Sequence, residues 1–174
     1  ACVIEVVSLL NANAAEKKLR LEARFAPGIP QVMVGDGDRL RQILMNLISN
    51  AVKFTQQGEI WVRVDGRFLD EATYELHIAV QDTGIGLPPD YTEWLFEPFH
   101  RGHVSHSHRF TGAGLGLTIS QRLVGLMHGR IWAESQPGQG ATFHIAIPSP
   151  VTDQPPPSVQ SLDRVRPFDP DMAR

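Results

Sequence analysis

The sequence predicts an α/β fold: a two-layer sandwich in which one mixed, mostly antiparallel sheet is covered on one face by helices. Three observations carry this. Residues 2–15, 38–54 and 115–127 repeat apolar side chains every three or four positions, five shorter segments alternate apolar with polar residues, and the two kinds interleave without a strict strand–helix–strand rhythm. With 174 residues, 42% apolar and 20% charged, the chain can enclose one ordinary core.

The elements follow in order. Val3, Val6, Val7, Leu10 and Ala14 stand at helical spacing, and Lys17, Lys18 and Arg20 come next, where a helix C-terminus favours cations. Leu19, Leu21, Ala23 and Phe25 then alternate with charged residues up to the Pro27-Gly28 turn, as in a short half-buried strand. From Asp38 to Phe54, Leu40, Ile43, Leu44, Leu47, Ile48, Ala51 and Val52 form the strongest helical pattern in the chain, with Gly58 expected to end it. Residues 59–64 and 74–80 read as an antiparallel pair joined by a turn at 65–73. After Asp82 comes a long polar connection, rich in histidine up to Gly112, that reads as a mobile lid. A helix over 115–127 and two strands at 130–134 and 141–147, joined by Pro137-Gly138-Gln139-Gly140, complete the domain at residue 148. From Pro148 onward fall seven of the thirteen prolines, so 149–174 reads as a Pro-rich linker or disordered tail.

Composition narrows the function. A net charge of −3 without a long basic run argues against a nucleic-acid partner. Cys2 is the one cysteine, which rules out an intrachain disulfide and suits a reducing compartment. No apolar run approaches membrane-spanning length, so this piece is expected to be cytoplasmic, or the cytoplasmic part of a membrane-anchored protein.

Three local patterns carry chemistry. Gln42, Asn46, Asn50 and Lys53 are spaced four, four and three residues apart and form one polar stripe on their helix. Two carboxamide oxygens one turn apart suit a hard cation and the lysine suits phosphate, although a solvated helix face accounts for the stripe equally well. Asp82-Thr83-Gly84-Ile85-Gly86 puts a carboxylate at a strand end with glycines that let a ligand approach the backbone, or else forms a simple Asp-Gly turn. Gly112-Ala113-Gly114-Leu115-Gly116-Leu117 opens a helix with amides suited to phosphate oxygens, without the lysine-serine ending of a P-loop.

In order, NLISNAVKFT (46–55), DTGIG (82–86), FEPF (96–99), GAGLGL (112–117) and GQGATF (138–143) resemble the N, G1, F, G2 and G3 boxes of sensor histidine kinases, hybrid-type members above all. That family belongs to the ATPase group that includes gyrase, heat-shock chaperone ATPases and MutL-type proteins, and the resemblance covers about residues 1–148. It implies a Bergerat-type ATP-binding fold and transfer of the ATP γ-phosphoryl group to a histidine on a separate helical dimerisation domain. It makes ATP and Mg2+ the cofactors, Asn46 and Asn50 the metal-side ligands, and Lys53 a phosphate contact. Phe54 becomes a neighbour of the base, Asp82 the reader of the adenine amino group, and Gly84, Ile85 and Gly86 nucleotide-binding residues beside it. The amides of Gly114, Leu115, Gly116 and Leu117 become phosphate contacts, Gly112 a nucleotide-binding residue, Arg109 a basic lid residue, and Thr142 a support of the adenine pocket.

Hydrolases of the group carry a water-activating glutamate where Asn46 stands, so the resemblance favours phosphotransfer. Ala113 departs from the threonine of many hybrid-type members, and His100, His103, His106 and His108 cluster unusually, either as a hydrated loop or at metal-ligand spacing. The partners implied are the phosphoacceptor domain of a homodimeric parent kinase and, downstream, a response-regulator receiver. The alternatives are a nucleotide-binding pseudokinase module or a serine kinase of the anti-sigma-factor type.

Overall fold

The computed structural model describes residues 2–88, 95–96 and 115–152. In chain order they form α1 (Cys2–Glu16), β1 (Arg20–Phe25), α2 (Gly37–Phe54), β2 (Glu59–Phe68), β3 (Thr73–Asp82), α3 (Leu115–Leu126), β4 (Arg130–Ser135) and β5 (Ala141–Pro150). The strands make one sheet in the order β1-β2-β3-β5-β4. β1 runs parallel to β2, and every other neighbouring pair is antiparallel. The β1–α2–β2 unit is therefore a single crossover attached to an otherwise antiparallel sheet.

Side-chain alternation shows why all the helices sit on one side. Ile60, Val62 and Val64 of β2, Tyr74, Leu76, Ile78 and Val80 of β3, and Phe143, Ile145 and Ile147 of β5 are buried together with the apolar faces of α1 and α2. The residues between them, such as Arg63, Glu75, His77, Thr142 and His144, point the other way and stay half-buried or exposed. One face is thus core and the other faces solvent.

α2 is the central helix, packed against α1, α3, β2 and β3. Asp36 caps its N-terminus by accepting the Arg39 N–H at 3.0 Å, and Ile43, Leu44, Leu47, Ile48, Ala51 and Val52 are buried along its length. Full burial of each larger side chain contributes about 1.5–3 kcal/mol. The helix ends at Phe54, where Thr55 turns extended and its N–H bonds the Ala51 carbonyl, not at Gly58. Gly58 serves the next step: at φ 115° it lets the chain pass the Thr83 hydroxyl, where a Cβ would collide.

The β2–β3 hairpin is longer than the sequence suggests, with only residues 69–72 outside it. Its tip is solvent-exposed and lacks apolar alternation, and is held instead by an edge-to-face Phe68–Tyr74 contact at 5.1 Å and an Arg67–Glu75 ion pair at 3.2 Å. At the far end, β5 runs through the expected boundary at 148 to Pro150, and Val151 pairs with Met33. Two prolines are tolerated there because β4 pairs with β5 only as far as Ala146, which leaves one side of the strand without a ladder to supply. Among the described residues no helix is long and apolar enough to cross a membrane.

Candidate functional site

The C-terminal end of β3, the N-terminal end of β5 and the C-terminal half of α2 meet at one end of the sheet. Asp82 is the last residue of β3 and only 6% exposed. Its carboxylate accepts the Gly84 N–H at 2.8 Å. Burial pushes this carboxyl above its ordinary range, and N–H groups of Gly84 and Ala141 oppose that shift. A buried carboxylate with hydrogen-bonding capacity to spare suits the amine of a bound ligand.

Glycines let the surrounding loops close on this carboxylate. A Cβ on Gly84 would stand 2.7 Å from the Phe54 carbonyl and 2.8 Å from Asp82 Oδ1, so the end of α2 and the Asp82 turn touch because this residue is glycine. Gly140, at φ 85°, lies where a Cβ would strike the Asp82 carbonyl, and Gly86, at φ 68°, where one would strike the Gln136 carbonyl. The Gly84–Leu87 loop and the turn at 136–140 are further joined by Gly138 N–H to Ile85 O and by Leu87 N–H to Ser135 Oγ, both at 2.8 Å. Ser135 in turn donates to Gly140 O at 2.7 Å. Two glycine motifs distant in sequence are thus one packed unit.

On α2, Asn46 and Asn50 are half-buried while Gln42 and Lys53 are exposed. Asn50 Nδ2 points to Asn46 Oδ1 at 3.5 Å, and Asn46 Nδ2 donates to Ser120 Oγ of α3 at 2.8 Å. Lys53 Nζ stands 5.2 Å from the Phe54 ring centre. Lys17 Nζ caps the end of α2 by donating to Val52 O and Lys53 O at 2.8 and 3.1 Å.

The structure therefore brings Asn46, Asn50, Lys53 and Phe54 to the same end of the sheet as Asp82, Gly84, Ile85 and Gly86. Thr142 is placed differently. It pairs with Gln81 on the solvent face, across the sheet from the buried side of Asp82, and the residue facing Asp82 is Ala141, through its amide. With Gln81, Asp82, Glu134, Gln136 and Gln139, Thr142 lines a cleft of about 470 Å³ at this sheet end. Leu115, Gly116 and Leu117 open α3, and a Cβ on Gly116 would collide with Asn46 Oδ1. Arg109, Gly112, Gly114 and the four lid histidines lie outside the described residues, as does the expected lid. Sequence reasoning missed Lys17, Ser120 and Ser135. Ser120 had one sequence signal, its spacing of one helical turn from Gly116.

Fold and site together define a nucleotide-binding α/β sandwich of the ATPase type. A family profile described as histidine kinase-, DNA gyrase B- and HSP90-like ATPase matches residues 35–151, and the chain belongs to that family. Its similar relatives are sensor kinases. It is 41% identical over 143 residues to the signal transduction histidine-protein kinase BarA of Escherichia coli K12, an alignment covering 82% of this chain and 16% of BarA. With the aerobic respiration control sensor protein ArcB of the same strain it shares 43% over 147 residues, 84% of this chain and 18% of ArcB. The chain spans less than a fifth of the length of these relatives. Among solved structures, full-length ShkA in complex with AMPPNP matches 87% of this chain and 30% of its own, at 32% identity and a TM-score of 0.74. The nucleotide-free catalytic domain of the histidine kinase ThkA, at 24% identity and a TM-score of 0.68, covers 84% of this chain and 91% of its own and shares the fold.

Proposed function

We propose that this chain is the catalytic, ATP-binding domain of a two-component sensor histidine kinase, which binds magnesium ATP and transfers its γ-phosphoryl group to a histidine on a separate dimerisation domain. In the transfer, the bond between the γ-phosphorus and the bridging oxygen of ADP breaks and a phosphorus–nitrogen bond to the acceptor imidazole forms. Asp82 orients the adenine, and the Gly84–Gly86 backbone admits the ring beside Phe54. Asn46 and Asn50 fit a hard cation through their carboxamide oxygens, and Lys53 adds charge for the phosphates. The cation, when bound, neutralises phosphate charge.

The observation that carries transfer over hydrolysis is the Asn46–Ser120 hydrogen bond. Asn46 Nδ2 donates at 2.8 Å to a buried hydroxyl, so this position is a carboxamide used as one and supplies no base to activate water. The phosphoacceptor is expected elsewhere in the parent protein. Of the histidines in the described residues, His77 and His144 lie in strands and His128 follows α3 at φ 58°, and none is presented mid-helix. Incubation with γ-labelled ATP under conditions that preserve acid-labile phosphohistidine is expected to leave this chain unlabelled and to label a separately supplied two-helix acceptor domain of the parent. Strong labelling of the chain itself overturns the reading. Nucleotide binding with no transfer to that acceptor establishes the pseudokinase alternative in its place.

A further inference from the structure

We infer that Ser120 is a positioning residue for the metal side of the site: its hydroxyl sets the direction of the Asn46 carboxamide, and through it that of Asn50. This rests on the magnesium-nucleotide reading above. A carboxamide presents an oxygen at one end and two N–H donors at the other in nearly the same shape, and only the oxygen end attracts a cation. Something must therefore select which end of each asparagine faces the ligand. Within α2 itself the candidates are each other, since Asn50 Nδ2 lies 3.5 Å from Asn46 Oδ1. That pair alone is self-consistent but unanchored.

The anchor is on α3. Ser120 is 1% exposed and its Oγ stands 2.8 Å from Asn46 Nδ2. One turn earlier on the same helix, Gly116 leaves open the space that Asn46 Oδ1 occupies. Gly116 and Ser120 thus form a seat that receives Asn46 from both ends. The polarity then runs in one direction: Ser120 accepts from Asn46, Asn46 accepts from Asn50 on one lone pair of its oxygen, and among the described residues the second lone pair and the Asn50 oxygen are left for a cation. The glycine assigned to the phosphates by sequence has, in this geometry, a second duty toward the metal-side asparagine. The seat also ties the orientation of α2 side chains to the placement of α3, an element that follows the long connection from β3.

The expected result is specific to the cation. Calorimetric titration of the chain with ATP across a series of Mg2+ concentrations should show Ser120→Ala weakening Mg2+-ATP binding about tenfold, the size of one lost hydrogen bond, with affinity in EDTA within about twofold of wild type. Ser120→Cys, which fills the same space with a poorer acceptor, should fall between. In an Asn46→Ala background, Ser120→Ala should have no further effect, because the serine acts only through that asparagine. Wild-type Mg2+ dependence in both serine variants, or an undiminished effect without Asn46, overturns the inference alone. Wild-type binding indifferent to Mg2+ overturns the functional reading and this inference with it.

Discussion

Burial pushes the Asp82 carboxyl upward, and the amides of Gly84 and Ala141 offset this only in part. The folded protein therefore holds a proton on Asp82 to higher pH than the unfolded chain does. That contribution is present in acid and lost as pH rises through the raised value, so at neutral pH the ionised group costs stability. Asp82→Asn keeps an acceptor for the Gly84 N–H and removes the charge. It should raise Tm, by about 2–4 °C for each kcal/mol recovered in a domain of this size, while weakening ATP binding about 10–100-fold through the lost charge-assisted hydrogen bond. Differential scanning calorimetry and titration test the two arms separately, and a variant that loses both stability and affinity contradicts the account. His144 works the opposite way. Burial, chiefly, pushes its imidazole below the ordinary 6.5, with Glu134 opposing, and its Nε2 has no hydrogen-bond partner. The unfolded chain takes up this proton first, so the stability His144 supplies is present above about pH 6.5 and declines as pH falls. A His144→Gln variant should lose less Tm than wild type between pH 7.5 and 5.5; equal slopes contradict the assignment.

At the scale of elements, the turn joining β4 to β5 offers a matched pair of glycines. Gly138, at φ 77°, has open space where its Cβ would be, whereas Gly140, at φ 85°, has the Asp82 carbonyl there. Gly138→Ala should cost about 1 kcal/mol from backbone strain alone, and Gly140→Ala at least about 2 kcal/mol more by forcing the turn off the Asp82 loop. Urea unfolding measures both, and equal costs would mean that the two loops do not bear on each other. The elements themselves were legible because their periodicity is local: α2 announces itself through Leu40 to Val52, and β3 through its alternation. What the sequence left open depends on partners. The tip of β2 has no apolar pattern because it faces solvent, so its strand character shows only in the pairing with β3. Thr142 reads as a support of the adenine pocket by its place in a motif, but strand parity sends it to the solvent face of the sheet, away from the buried side of Asp82, and parity needs the register with Gln81 to be known. Ser120 offered only its one-turn spacing from Gly116, because its significance lies in a contact with Asn46, on a helix far away in the chain.

Across the whole molecule, the sheet order has a kinetic consequence. β1, α2, β2 and β3 meet neighbours close in sequence, but β5 inserts between β3 and β4 after the excursion of residues 83–140. Closing so long a loop carries an entropic penalty before any pairing rewards it. The half of the molecule up to Asp82 should therefore gain structure first, and β5 should dock last. Pulsed hydrogen exchange during refolding should find amides of the β2–β3 hairpin protected before those of β5, and simultaneous protection would refute this order. Asp82 acquires the Ala141 amide only when β5 arrives. The binding end of the domain is then the final part of the molecule to exist, and nascent or partly unfolded chains cannot sequester nucleotide before they are complete.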